Sequence, residues 1–148
     1  MNPEQRSTAV FGAFDGVCSV IGFVFGLLLH HSPTAAIAIG GLGGAISATV
    51  SMSVGTFESE DGAWHRRLIN ALFMAAATLI GSAVPIWPYF LWSKTPALIA
   101  GAIGSLLVAS WIGYEKHARW KGYVTAYATL LGAVGLTLLV VSLIPASV

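Results

Sequence analysis

At 148 residues, 56% hydrophobic, 9% charged and with a mean hydropathy of +0.81, the chain carries more apolar surface than a water-soluble globule can cover. A net charge of +1 excludes the basic footprint of a nucleic-acid binder, and a single cysteine, Cys18, excludes an internal disulfide. The apolar stretches run from end to end with short connections, so residues 1–148 read as one transmembrane domain.

The opening MNPEQRST lacks the cationic head of a secretory leader, so no removable signal peptide is expected. Five apolar segments approach or exceed the ~20 residues that a ~30 Å hydrocarbon core requires. They predict helices at about 8–30, 34–57, 68–91, 96–114 and 122–144. A membrane barrel needs short alternating strands; these runs are continuous. The expected fold class is therefore all-α, with five transmembrane helices.

The first helix, TAVFGAFDGVCSVIGFVFGLLL, holds one ionisable residue, Asp15. A carboxylate at that depth costs at least ~2.5–3.5 kcal/mol on insertion scales and usually faces a cavity or partner. Cys18, Ser19, Gly22 and Gly26 follow Asp15 at spacings of 3, 4, 7 and 11, and Thr8 and Gly12 extend the same face. Such a stripe suits an ion or proton path, with Asp15 as ligand and Thr8, Cys18 and Ser19 lining it. The alternative is a structural aspartate bonded to a neighbouring helix. Gly12-x-x-x-Gly16 and Gly22-x-x-x-Gly26 allow close helix approach, either inside one protomer or across a two-fold dimer with this helix near its axis. His30-His31 ends the helix; the pair suits metal release or pH response, or simple anchoring at the interface.

The second and fourth helices begin alike, with Ser32-Pro33 and Thr95-Pro96 placing a capping hydroxyl before a first-turn proline. The stretches HHSPTAAIAIGGLGGAIS and SKTPALIAGAIGSLLVAS, 63 residues apart, form a faint internal echo. On the second helix, Met52 continues the Gly41, Ala45, Ala48 face between Ser51 and Ser53. A thioether is a soft ligand that favours transition metals, although a methionine also serves as gap-filler; Ser51 joins the candidate path. Beyond it, Glu58, Glu60 and Asp61, with His65 close behind, offer hard oxygen ligands that could gather divalent cations. The bland alternative is a solvated loop balanced by Arg66 and Arg67. Trp87, Tyr89, Trp92, Trp111, Tyr114 and Trp120 fall near predicted boundaries and fit an aromatic belt. Ile144-Pro145 closes the fifth helix.

Six of the seven basic residues (Arg6, Arg66, Arg67, Lys116, Arg119, Lys121) fall on the side of the N-terminus, and Lys94 falls opposite. The positive-inside rule then predicts a cytoplasmic N-terminus and Val148 outside. No nucleophile–base pair, phosphate loop or paired-cysteine motif is present, so no enzyme activity is expected.

FGAFDGVCSVIGFVFGL resembles the first helix of the vacuolar iron transporter family. GAISATVSMSVGTFES resembles its second-helix signature, and NALFMAAATLIGSAVPIWPYF its proline-containing third helix. The resemblance implies a homodimer in the bilayer of an inner or limiting membrane, with the path between protomers. It would carry Fe²⁺, Mn²⁺ or similar ions out of the cytoplasm in exchange for protons, with no permanently bound cofactor. Asp15 and Met52 would be the metal ligands within the membrane. The chain departs from that family at Gly44 and Thr8, where acidic residues are expected, and at Gly55-Thr56, whose acid follows only at Glu58. The family's cytoplasmic metal-binding insertion is reduced to Glu58–Asp61. Two alternatives stand beside export: a non-transporting scaffold or partner subunit of the same fold, and a proton-coupled transporter of another solute.

Overall fold

The computed structural model describes residues 3–117 and 120–144. Arg119, Pro145 and Val148, used above for orientation and helix ending, lie outside the described residues, as does the side chain of Lys116. The elements are α1 (Pro3–Leu29), α2 (Thr34–Ser59), α3 (Trp64–Ile86), α4 (Pro88–Leu91), α5 (Lys94–His117) and α6 (Trp120–Ser142). Among the described residues, five helices (all but α4) are long and apolar enough to cross a membrane.

Several boundaries differ from the sequence reading. α1 is already helical at Pro3, the first described residue, ahead of the predicted start at residue 8; its first described turn is polar and carries Glu4. The predicted helix over 68–91 is two helices. Pro88 has no N–H to continue the ladder, so α3 stops at Ile86 and α4 restarts after Trp87, whose N–H reaches the Ala83 carbonyl at 2.9 Å. Ser32 does not cap α2: Pro33 holds the cap position in an extended conformation (φ −65°, ψ 152°) with no side-chain bond. Thr95 and Pro96 lie inside α5, whose first turn closes from Ala97 N–H onto the Ser93 carbonyl at 3.1 Å. His31, at φ 56°, takes the left-handed position that ends α1, with its N–H on the Leu28 carbonyl and that of Ser32 on Leu27.

α1 is the central helix. It packs most extensively along α3, then along α6, α2 and α5. Lipid is as apolar as leucine, so these contacts depend on close van der Waals fit rather than on escape from water. Glycine supplies the fit. A Cβ on Gly16 would lie 2.3 Å from the Thr78 carbonyl, and one on Gly81 would lie 2.2 Å from the Ala13 carbonyl. Gly22 meets Thr137 of α6 at 2.9 Å, and Gly26 meets Thr137 and Val141. Gly12 meets Met74 and Thr78 of α3 in the same way, so the close approach predicted for Gly12, Gly16, Gly22 and Gly26 is made inside the protomer.

Two apolar clusters flank α1. One joins Val20 and Val24 to Ile37, Ile86 and Ala97; the other joins Val17 and Ile21 to Ala109, Ala126 and Leu130. Tyr89 belongs to the first cluster at 4% exposure and is no part of an aromatic belt, whereas Trp87, Trp92, Trp111, Tyr114 and Trp120 are exposed.

Candidate functional site

Asp15 is half-buried, at the centre of the one sector of α1 that its own chain leaves partly uncovered. That sector carries Phe11, Asp15, Ser19 and Phe23 at four-residue intervals; Phe11 is 52% and Phe23 41% exposed. Ser19 stands one turn beyond Asp15 on the same face, close enough to act on its carboxylate. Thr8, two turns before Asp15, is half-buried in the same sector. The remaining members of the predicted stripe part company. Cys18 packs against the cluster shared with α5 and α6, and Gly22 and Gly26 are closed off by α6.

α2 and α6 both pack on α1 but are not among the helix pairs that pack along one another, and the α1 sector with Asp15 is left partly exposed. The α2 face beside it starts where a Cβ on Gly40 would come within 3.1 Å of the Phe23 ring. The same face continues through Gly44, Ser47, Ser51 and Gly55. Gly43, Gly44 and Gly55 have nothing within 4 Å of a built Cβ, and Ser47 and Ser51 are exposed. Leucines would be expected on a helix face turned to lipid; this one is glycine and serine. The helices are antiparallel, so moving eight residues (about 12 Å) from the Phe23–Gly40 contact puts Asp15 level with Ala48. Met52 lies a further turn towards the basic end, half-buried and continuing the Gly41 and Ala45 face that packs on α3.

The acidic residues after α2 separate rather than converge. Asn70, 1% exposed on α3, donates to both carboxylate oxygens of Glu60, at 3.1 and 2.9 Å. Glu58 lies 4.0 Å from Arg67, and Asp61 is exposed while its carbonyl accepts from Arg66 at 3.1 Å. Arg6 pairs with Glu115, and Arg66 stands 3.7 Å from Glu4, so the start of α1, the α2–α3 turn and the end of α5 meet at one end. Lys94 is at the other end, donating to the His31 carbonyl at 3.4 Å; His30 and His31 are exposed there. Among the described residues, no three His, Cys, Asp or Glu side chains come together as a metal site within one chain.

One feature of the interior escaped the sequence reading. Met74, Thr78 and Ser82 form an i, i+4, i+8 stripe on α3, facing Gly12 and Gly16. Thr78 and Ser82 are both 0% exposed, and their hydroxyls have no hydrogen-bond partner among the described residues. The four-residue spacing of two hydroxyls in an apolar helix was the available signal. Compared with known proteins, the chain matches no family model, no curated protein and no solved structure.

Proposed function

We propose that the protein exports a divalent transition metal, Fe²⁺ or Mn²⁺, from the cytoplasm in exchange for protons. It would work as a two-fold pair, with the basic end in the cytoplasm as the positive-inside rule requires. The observation that carries this reading is Asp15, a half-buried carboxylate midway along an apolar helix long enough to cross a membrane, with a glycine and serine face on the neighbouring α2. A carboxylate left facing acyl chains is costly, so a cover is needed. A second copy provides it and doubles the ligand set, because one Asp15 and one Met52 fall short of the about four to six donors a divalent cation takes. Asp15 would carry either the metal or a proton, and Ser19 would hold its rotamer by donating to the carboxylate. Thr8 and Ser51 would line the approach, and Glu58 and Asp61 would attract cations at the cytoplasmic mouth. The resemblance to vacuolar iron transporters agrees with this assignment of Asp15 and Met52.

One observation favours a second reading, a non-transporting scaffold of the same fold: a single chain assembles no three-ligand cluster among the described residues. Proton flux driven by Fe²⁺ or Mn²⁺ in proteoliposomes separates the two. The exporter reading expects metal-driven flux in the native protein and, in Asp15→Asn, a fall to the level of empty liposomes with expression retained, since the neutral side chain inserts more easily. No metal-driven flux in the native protein would leave the scaffold standing. Normal flux in Asp15→Asn would end the idea of metal–proton exchange at this carboxylate.

A further inference from the structure

At the basic end, α2 and α3 border a cavity of about 340 Å³ that begins about two turns beyond Ser47 on α2. Val54 and Phe57 of α2 and Leu68, Leu72 and Ala75 of α3 wall it, and Glu58 stands at its rim. Water has little to bond to on such walls, and a metal ion would find too few donors. Flexible apolar chain is what such a surface accepts.

Arg67 stands outside the lining itself but is anchored to one of its residues: its Nε donates to the Phe57 carbonyl at 2.7 Å, and its guanidinium lies 4.2 Å above the Phe57 ring. One terminal nitrogen stands 4.0 Å from the Glu58 carboxylate, beyond hydrogen-bonding distance. The guanidinium therefore keeps N–H donors to offer, and Glu58, 71% exposed, keeps acceptor capacity. An anchored cation and an exposed carboxylate, paired only loosely at 4.0 Å beside the mouth of an apolar cleft, match a head group carrying a phosphate and an ammonium. Trp64, 62% exposed and edge-on to Phe57 at 6.3 Å, sets this rim at the level of the membrane surface.

We propose that the α2–α3 cleft is a binding site for an aminophospholipid. One acyl chain would lie between Val54 and Leu72, its phosphate on Arg67 and its primary ammonium on Glu58. A quaternary ammonium has no N–H to donate and a glycerol head group has no positive charge, so both should bind less well. The proposal does not require metal export; it gives Glu58 a lipid partner in place of the cation-gathering role above, and it requires that a second copy leave this face open.

The test is native mass spectrometry of the detergent-purified protein. Phosphatidylethanolamine, phosphatidylcholine and phosphatidylglycerol with identical chains are the probes. Phosphatidylethanolamine should be retained about fivefold better than the others, as expected from the ~1 kcal/mol of a partly exposed charge pair. Glu58→Gln should remove that preference, and its exposed position makes the change safe for folding. Ala75→Phe should fill the cleft and reduce retention of all three lipids. Equal retention in the native protein, a preference untouched by Glu58→Gln, or full retention in Ala75→Phe would overturn the proposal. So would a second copy occupying this face and excluding lipid.

Discussion

Two faces of the same helix behave in opposite ways. Towards α3, α1 presents Gly12, Ala13 and Gly16, and at Gly16 and at Gly81 opposite Ala13 the backbones approach so closely that no added methyl group fits. On its other face it presents Phe11, Asp15, Ser19 and Phe23, and nothing in the chain covers them fully. The glycines of α2 sharpen the contrast: Gly41 meets Ile86 at 3.1 Å, while Gly43 and Gly44, two and three positions on, meet nothing. Glycine spacing thus marks where close approach is possible, and only the assembled bundle shows which approaches a single chain has already used. The closed face holds the protomer together; the open face, with its carboxylate, is the one on which the proposed function depends.

The largest effect should come from attacking the closed face. In Gly81→Ala the new Cβ would sit 2.2 Å from the Ala13 carbonyl and 2.9 Å from the Ala13 Cα. Both obstacles are backbone, so α1 and α3 must separate, at a cost of about 3 kcal/mol, the upper end for overpacking. Gly44→Ala adds a methyl into open space and should stabilise the helix by about 0.5–1 kcal/mol. Unfolding of both variants in mixed micelles measures the difference. Similar responses would mean that the two faces are equally free.

A smaller effect is expected from a bulky residue on the open face. Gly44→Leu leaves the protomer intact but blocks the flat α2 surface, so it should weaken a two-fold pair about tenfold, or ~1.4 kcal/mol. Energy transfer between labelled copies, followed as liposomes are diluted with lipid, gives the dissociation constant. An unchanged constant would move the pairing surface away from α2.

The five spans were legible because length and apolarity are carried by composition alone. The end of α3 was missed because hydropathy continues through WPYFL, whereas the hydrogen-bond ladder stops at Pro88. Asp15 was legible as an anomaly in its segment; its open surroundings depend on how the other helices pack around α1, which no local pattern encodes. Cys18 shares a helical face with Asp15 by spacing, yet it also packs, half-buried, against the cluster shared with α5 and α6, and α6 closes off Gly22 and Gly26. Glu60 was read with its acidic neighbours, although Asn70, ten residues on, takes both its oxygens. Tyr89 sat at a predicted boundary and turned inward because α4 folds back over α5 and α2.

The smallest effect, and the one whose sign matters most, concerns the hydroxyls inside the closed face. Thr78 and Ser82 are fully buried and lack partners among the described residues, so any desolvation penalty of their hydroxyls is not offset by a hydrogen bond there. Their oxygens lie 2.9 and 2.8 Å from where a Cβ would stand on Gly12 and Gly16, filling the notches those glycines leave. Thr78→Val keeps the shape and removes the polarity, so it should be neutral or stabilise by up to about 1 kcal/mol. Ser105 is the control. It is equally buried, but its hydroxyl donates to the Gly101 carbonyl at 2.7 Å. Ser105→Ala should therefore destabilise by roughly 0.6 kcal/mol, the average for a polar contact inside a membrane protein. Opposite signs for the two substitutions would establish that the α1–α3 contact is dry and held by shape. Destabilisation by Thr78→Val as large as that of Ser105→Ala would show that its hydroxyl has a partner, such as a buried water, and that the closed face is held by polar bonds as well as by fit.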